Sequence, residues 1–315
     1  MPRVPPPLPA HLRGAAFSFA DATVAGVGRR RLRASDVIHP HRGVYTSDSA
    51  DGLHGACVAA VPLLGDRRFF SHLTAARLWG IPTPGEWMPG EPLHIVTLVG
   101  AEPLRRPGIR GWESATSPGV AVIDGLPVAD AADVWAQLSI PGSVGTDPGT
   151  GARRALSPEW LVAAGDYLLT GPRIGSTRTP LVTLDRLAEV TRGHRGKRGS
   201  KALAWAFERV RPGPQSPRES LLRVALVDRG LPEPEVQVAV RTAAGLRHAD
   251  LGYAAAHVLI EYQGDHHRTD RRQWLEDLTR RQLFEEAGYR VIEVGMDAFE
   301  DGCVVLAQRI RQALR

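Results

Sequence analysis

The stretch DLGYAAAHVLIEYQGDHH, from Asp250 to His267, decides the fold of the last third of the chain. Its apolar run VLI at 258–260 is typical of a buried strand. Residues 246–253 form a second strand candidate, and only a short alanine segment separates the two. We therefore predict a β-hairpin with a tight turn centred on Ala255-Ala256.

This hairpin register places Asp250 opposite Glu261, with Cβ atoms roughly 5 Å apart. Side chains alternate between the faces of a strand, so Gln263 should lie beside Glu261, with His248 opposite Gln263. Two carboxylates this close repel each other unless a cation lies between them or one keeps its proton. Mg²⁺ prefers such oxygen ligands. The alternative is a solvated strand pair, because the turn lacks Asn-Gly chemistry.

Composition limits the class of protein. The chain has 315 residues, of which 43% are hydrophobic, so two or three domains with real cores are expected. No apolar run approaches the roughly 18 residues of a membrane helix, and the proline-rich start lacks the apolar core of a signal peptide. Two cysteines exclude a disulfide framework, which favours a reducing cytoplasm. The formal charge of +5 permits a polyanionic partner without requiring one.

Residues 1–50 have the pattern of a small DNA-binding module. Helices are predicted over 17–27 and 29–37, followed by a strand at 42–46, which suggests a winged helix. Three consecutive arginines on the second helix are candidate nucleic-acid contacts: Arg29, Arg30 and Arg31. A small helical cap with a solvated arginine face fits the same pattern.

The following residues, 51–190, alternate helical and extended patterns. Helices are predicted over 53–64, 71–79, 129–138 and 158–169, and strands over 93–98 and 120–123. No catalytic constellation is found there, and His72 is interpreted as a helix-start residue because it has no partner ligands.

Three segments in this first part resemble the abortive-infection antitoxin family: RGVYTS at 42–47, SHLTAARLWGIP at 71–82 and IDGLPVADAADVWAQL at 123–138. The resemblance covers roughly residues 15 to 190. It implies a winged helix joined to a mixed α/β domain, with a role in DNA binding or regulation, and it leaves a toxin partner open.

A basic segment over 191–215 follows, and we interpret it as a linker. Lys197 and Arg198 are its candidate contacts to a phosphate backbone. A soluble linker without a ligand is the alternative.

The last hundred residues begin with a helix-start signal. Ser216 is a candidate N-cap, Pro217 takes the first helical position, and Glu219 completes a capping box. Strands are predicted over 235–241, 246–253, 258–263 and 289–294, and helices over 216–228, 271–287 and 299–314. The predicted order is α-β-β-β-α-β-α.

That order, together with SPRES, GLPEPEVQ, HADLGY, IEYQGDHH and DLTRRQLFEEAGYRVIEV, resembles the very-short-patch-repair-like endonucleases of the PD-(D/E)xK superfamily. The resemblance implies that Asp250 and Glu261 bind Mg²⁺, or Mn²⁺ as a substitute. Glu219 would reach the same site, a role that competes with capping. His267 would assist the leaving group or contact phosphate, or is a satisfied loop histidine.

The same resemblance makes several arginines candidates for contacts with the DNA backbone: Arg268, Arg271, Arg272 and Arg281. Asp277 and Arg280, one helical turn apart, are interpreted as an intrahelical ion pair. The family usually has lysine or an acid at the third catalytic position, where this chain has Gln263. Glutamine can orient a water or ligate a metal, but it cannot remove a proton.

The expected fold class is therefore α/β. It comprises a winged-helix-like module (1–50), a mixed α/β antitoxin-like domain (51–190), a basic linker (191–215) and a restriction-endonuclease-like domain (216–315). The leading hypothesis is a cytoplasmic, Mg²⁺-dependent DNA endonuclease without membrane association. A non-enzymatic DNA-binding regulator with a vestigial nuclease domain is the alternative, and an RNA substrate is a third hypothesis.

Overall fold

The computed structural model describes residues 5–49, 51–114, 119–263 and 271–315, without the side chains of 271–278. The chain divides into two compact units, Met1–Leu156 and Ser157–Arg315, and both mix helices with sheets. Among the helices of the described residues, none is long and apolar enough to span a bilayer.

The first unit begins with a small two-stranded layer. Strands β1 (Phe17–Ser18) and β2 (Val44–Tyr45) pair antiparallel around helices α1 (Phe19–Val24) and α2 (Arg29–Leu32). Both helices are shorter than predicted. A left-handed Gly26 follows α1, and α2 buries only Leu32, so little packing is available to extend it.

A mixed five-stranded sheet forms the rest of the first unit. Its strand order is β5-β4-β3-β7-β6. The elements are α3 (Gly52–Ala60), β3 (Arg68–Phe70), α4 (His72–Leu78), β4 (Leu93–Thr97), β5 (Ile109–Glu113), β6 (Val120–Ile123), β7 (Leu126–Ala129) and α5 (Ala131–Leu138). Phe70, Ile95 and Trp135 are fully buried in this unit. The predictions for α4, α5, β4 and β6 are confirmed, whereas β3, β5 and β7 were not predicted.

Helices open the second unit. They are α6 (Pro158–Thr170), α7 (Leu184–Gly193), α8 (Ser200–Arg209) and α9 (Pro217–Asp228), with a short hairpin of β8 (Arg173–Ile174) and β9 (Thr177–Arg178) after α6. Helix α6 packs against α8 and α9. Leu203 and Ala206 of α8 are fully buried, which shows that a large part of the predicted linker, 191–215, is folded.

The division of the chain therefore differs from the predicted one. The boundary lies after Leu156 instead of near residue 190, because α6 joins the C-terminal elements. A buried ion pair, Arg223 with Asp166 at 2.9 Å, ties α9 to α6.

A four-stranded sheet completes the second unit. Strands β10 (Glu235–Thr242), β11 (Gly245–Tyr253) and β12 (Val258–Tyr262) run antiparallel, and β13 (Arg290–Val294) lies parallel to β12. Helix α10 (Arg271–Glu286) connects these last two strands, and α11 (Val304–Ala313) ends the fold. The order of elements from α9 onward is the predicted α-β-β-β-α-β-α.

Both faces of this sheet are covered. Val258 and Ile260 pack in one cluster with residues of α9 and α11, whereas Leu259 packs in another with Phe284 of α10. The short apolar run of β12 is thus buried on both sides.

Candidate functional site

The hairpin of β11 and β12 has the predicted register. Leu251 pairs with Ile260 and Tyr253 with Val258, so Asp250 lies opposite Glu261. Beyond the Leu251–Ile260 pair, the two carboxylates replace the backbone ladder. The Asp250 N–H donates to Glu261 Oε1 at 3.0 Å, and the Tyr262 N–H donates to Asp250 Oδ2 at 2.9 Å.

Strand β10 places a third side chain, that of Gln237, beside these two carboxylates. Gln237 falls between the pairs Val236–Leu251 and Val238–Ala249, which places it opposite Asp250. Its φ of 53° lies in the left-handed region, a conformation that costs energy for a residue with a side chain. The side chain of Gln237 donates to Glu219 Oε2 at 3.3 Å.

Glu219 lies in the first turn of α9, faces these residues of the sheet, and is only 5% exposed. Its N–H donates to Ser216 Oγ at 3.2 Å, so one half of the predicted capping box is present. Its carboxylate accepts from the backbone N–H of Gln215 at 2.8 Å, where a full capping box would use the backbone N–H of Ser216. Glu219 therefore both supports the helix start and faces the acidic residues of the sheet.

Arg280 supplies a positive charge to this group of acids. Its Nε lies 2.9 Å from Glu261 Oε2, a close ion pair that lacks hydrogen-bond geometry. Its Nη2 lies 4.0 Å from Asp250 Oδ1 and donates to the carbonyl oxygen of His248 at 2.6 Å. Arg280 thus bridges two strands, whereas the sequence suggested a pair with Asp277, whose side chain lies outside the described residues.

Burial and crowding shift the pKa values of all three acids upward. Burial, and then the nearby Asp250, raises the pKa of Glu219 to about 7. The same two causes raise the pKa of Glu261 to about 7 against the opposing effect of Arg280. Burial also raises the pKa of Asp250. Three acids with one arginine form an under-compensated cluster, which protons or a cation would stabilise.

Asp250 and Glu261 offer the oxygen ligands that Mg²⁺ prefers. Arg280 Nη2 lies 3.4 Å from Glu261 Oε1 and 4.0 Å from Asp250 Oδ1, so these oxygens are closer together than the sum of the two distances. Two oxygens that share one Mg²⁺ at about 2.1 Å lie at most about 4.2 Å apart, which is a narrower limit than this bound. No group of three or more Asp, Glu, His or Cys within the described residues is arranged to hold a metal. A Mg²⁺ held by these two carboxylates alone would keep several waters.

Gln263 does not continue the hairpin as predicted. It lies one residue beyond β12, is exposed, and donates its N–H to the carbonyl oxygen of Val294 in β13 at 2.8 Å. His248 pairs with Ala239 of β10 on one side, but the β11–β12 pairing ends at Leu251–Ile260, before His248 could face Gln263. The reason is that the two carboxylates end the β11–β12 ladder before this position.

The remaining C-terminal candidates can be placed only in part. His267 and Arg268 lie outside the described residues, and Arg271 and Arg272 begin α10 with side chains that are also outside them. Arg281 forms ion pairs with two glutamates, Glu285 at 2.8 Å and Glu293 at 3.4 Å. Its charge is thus partly neutralised within the protein.

The basic candidates of the other segments differ in their availability. Arg31 forms an ion pair with Asp36 at 2.6 Å, and its side chain is only 11% exposed. It is therefore poorly placed to contact DNA. Arg29 lies over the Phe19 ring. Arg30, Lys197 and Arg198 are exposed.

Sequence reasoning missed Gln237 and Arg280 as members of the site. The register of β10 could have revealed Gln237, because a turn between Thr242 and Gly245 fixes the pairing with β11. Arg280 offered no such signal, since its direction depends on how α10 packs.

Comparison with protein-family models, with curated proteins and with solved structures gave no significant match for this chain. The resemblances seen in the sequence therefore stay predictions, and function has to be argued from the site itself.

Proposed function

We propose that the second unit is a Mg²⁺-dependent DNA endonuclease of the PD-(D/E)xK type. The observation that carries this proposal is the convergence of Asp250 and Glu261 on one guanidinium, with Glu219 close enough to Asp250 to be electrostatically coupled. Buried carboxylates with raised pKa values beside each other are typical of functional sites. The α-β-β-β-α-β-α order supports the same assignment.

Asp250 and Glu261 are the residues that would hold the metal, with Mn²⁺ as a substitute. A bound Mg²⁺ supplies polarisation of the phosphodiester and a more acidic water. Glu219, whose pKa of about 7 matches neutral pH, is suited to take up a proton. Arg280 can bind a phosphate oxygen, since its side chain is 40% exposed. Gln263 can orient a water at the open end of β12.

The exposed basic residues Arg30, Lys197 and Arg198 are the proposed contacts to the DNA backbone. Each such contact neutralises a phosphate and releases a counterion, so binding should weaken as salt rises. These contacts carry no sequence information of their own.

The test is an incubation of the full chain with supercoiled plasmid in Mg²⁺, in Mn²⁺ and in EDTA. Asp250→Asn and Glu261→Gln should lower Mg²⁺-dependent cleavage roughly 100-fold or more, because a metal supplies several kcal/mol of transition-state stabilisation. Asp228→Asn is the matched control, since Asp228 is exposed at the end of α9. Cleavage that survives EDTA or both site variants would overturn the proposal.

A second candidate is a DNA-binding regulator with a vestigial nuclease domain. Arg280 favours it, because its guanidinium already lies beside the two acids that a metal would need. This alternative predicts that plasmid binding is unchanged in both site variants and that no metal supports cleavage. Structured RNA incubated in parallel tests the remaining substrate hypothesis.

A further inference from the structure

A recess of about 320 Å³ opens in the small module at the start of the first unit. It lies between the start of α1, the short helix α2 and strand β2. Its lining holds two guanidiniums and no carboxylate, so it presents positive charge beside aromatic rings. The residues that line this recess are Phe19, Arg29, Leu32, Arg33, His39 and Tyr45.

The two arginines of the recess have no partner of opposite charge. Arg29 begins α2 and Arg33 follows its last residue, so the two side chains are four positions apart and lie on the same side of the helix. Like charges at this spacing repel each other and destabilise a helix. In the described part of the chain, neither guanidinium forms an ion pair or a side-chain hydrogen bond. Both positive charges are therefore available to a ligand.

The acidic residues that flank these arginines in sequence are already bound elsewhere. Asp36 accepts from both terminal nitrogens of Arg31, at 2.8 and 2.6 Å. Asp21 accepts from the hydroxyl and from the backbone N–H of Ser18, at 2.7 and 2.8 Å, in the capping box of α1. Neither carboxylate lines the recess. The excess of positive charge there is thus not removed by the nearest acids.

Contacts within the module hold the walls of the recess in place. The Arg29 guanidinium lies over the half-buried Phe19 ring, 5.2 Å from its centre. This contact uses the face of the guanidinium and leaves the N–H donors at its edge free. His39 Nε2 donates to the carbonyl oxygen of Leu32 at 2.8 Å, and its ring meets that of Tyr45 edge-on, with centres 5.0 Å apart. The recess is therefore largely formed before a ligand binds.

We propose that this recess binds a phosphate monoester, the group that ends a nucleotide or a phosphorylated nucleic-acid strand. A monoester carries close to two negative charges at pH 7, which match the two unpaired arginines. Guanidiniums bind phosphate oxygens through charge-assisted hydrogen bonds, and the aromatic rings offer apolar surface to the organic part of the ligand. A backbone diester carries one charge and continues on both sides. It therefore fits less well into a recess whose lining includes Leu32, which is 2% exposed.

Titration calorimetry of the full chain in EDTA, with deoxyadenosine monophosphate and with a short single strand that carries a 5′-phosphate, tests this inference. EDTA removes divalent ions, so the acidic site of the second unit cannot hold phosphate through a metal. We expect saturable binding of at least one of the two ligands, with one phosphate per chain. Arg29→Gln and Arg33→Gln should each weaken it at least about tenfold, because each removes a charged hydrogen-bond donor. Arg13→Gln, at an exposed arginine of the same module that does not line the recess, should bind as the parent does.

The same strand with a 5′-hydroxyl shows whether the terminal phosphate is what binds. Preference for the phosphorylated strand identifies a strand end as the source of the monoester, whereas binding of the mononucleotide alone identifies a free nucleotide. Melting curves verify that Arg29→Gln and Arg33→Gln keep the fold, as expected for exposed side chains. The proposal is overturned if the parent binds neither the mononucleotide nor the phosphorylated strand. It is also overturned if both variants bind as tightly as the parent, or if the 5′-hydroxyl strand binds as tightly as the phosphorylated one.

Discussion

Two charged regions of the second unit lie one helical turn apart on α9 and are built in opposite ways. Arg223 is 1% exposed and pairs with Asp166 at 2.9 Å, with Glu233, and with the carbonyl oxygen of Arg209 at 2.8 Å. Asp166 also accepts the N–H of Arg211 at 2.6 Å. Every buried charge in this region has a partner of opposite sign.

Glu219, four residues earlier on the same helix, belongs to the acidic site. There three carboxylates face one arginine whose side chain is 40% exposed. Burial penalises the charged forms, and the acids repel one another, so their pKa values rise. Folding has placed like charges together where packing alone would favour separating them.

The difference shows how a structural ion network can be told from a functional one. A buried pair that is compensated resists change, because removing one partner leaves an unpaired charge. A cluster that is under-compensated gains from a ligand of opposite charge. Substitutions in the compensated region and in the under-compensated region should therefore have opposite effects on stability.

The largest effect is expected on the compensated side. Arg223→Met should lower the free energy of unfolding by about 3–5 kcal/mol, because Asp166 is then buried without its partner. Urea denaturation measures this loss. Lys201→Met, at an exposed lysine of α8, should change stability by no more than about 0.5 kcal/mol.

A double variant sharpens that result. Asp166→Leu combined with Arg223→Met should be more stable than Arg223→Met alone, because no isolated buried charge remains. If the free energy of unfolding falls in the double variant by the sum of the two single-variant losses, this ion pair does not couple α6 to α9.

The second prediction concerns the pH dependence of stability. Glu219 and Glu261 have pKa values raised from 4.5 to about 7, so the folded chain holds protons that the unfolded chain releases. Their contribution is fully present below pH 4.5 and is lost as the pH rises through about 7. We expect a loss of roughly 1–3 kcal/mol across that window.

Other groups also titrate there, so the measurement is a difference. Urea denaturation of the parent is compared with that of Glu219→Gln/Glu261→Gln at each pH. The parent should lose stability relative to the double variant as the pH rises. If stability changes with pH in the same way in the parent and in the double variant, the two acids are not buried together.

Removing a charge from the acidic site should stabilise the protein, in contrast to the loss expected at Arg223. Asp250→Asn should raise the free energy of unfolding by about 1 kcal/mol at pH 8 without metal, because it removes a like charge beside two acids. An asparagine oxygen can still accept from the Tyr262 N–H. A loss of stability comparable with that of Arg223→Met would mean that the acids are structural.

Local features of both regions followed from the sequence. The apolar run of β12 and its short connection to β11 predicted that Asp250 faces Glu261, and Ser216 was predicted as a helix cap. Such features depend on neighbours along the chain, which a single sequence displays.

The missing parts depend on contacts between distant segments. Arg223 and Asp166 are 57 positions apart, so the domain boundary that their pairing helps to fix could not be seen. Arg280 was assigned to Asp277 by helical spacing, but the packing of α10 through Phe284 points it toward the sheet. The sequence thus predicted that the two acids face each other, but it did not predict the arginine that pairs with them.

The smallest effect is expected at that arginine, and it tests the metal most directly. Arg280→Gln should change stability without metal by less than about 1 kcal/mol, since the ion pair is partly exposed. Mg²⁺ should then stabilise the variant more than the parent, because no guanidinium competes for Asp250 and Glu261. Melting temperatures across a Mg²⁺ series measure this difference. Arg281→Gln, which removes ion pairs with Glu285 and Glu293 but none with Asp250 or Glu261, should respond to Mg²⁺ as the parent does.

The outcome separates the two proposed functions even if no cleavage is ever seen. A vestigial site has no need to admit a metal, so neither the parent nor Arg280→Gln would be stabilised by Mg²⁺. A working site has to exchange the guanidinium for a divalent ion, so removing the guanidinium makes the exchange easier. If Mg²⁺ raises the melting temperatures of the parent and of Arg280→Gln equally, Arg280 does not compete with the metal for Asp250 and Glu261.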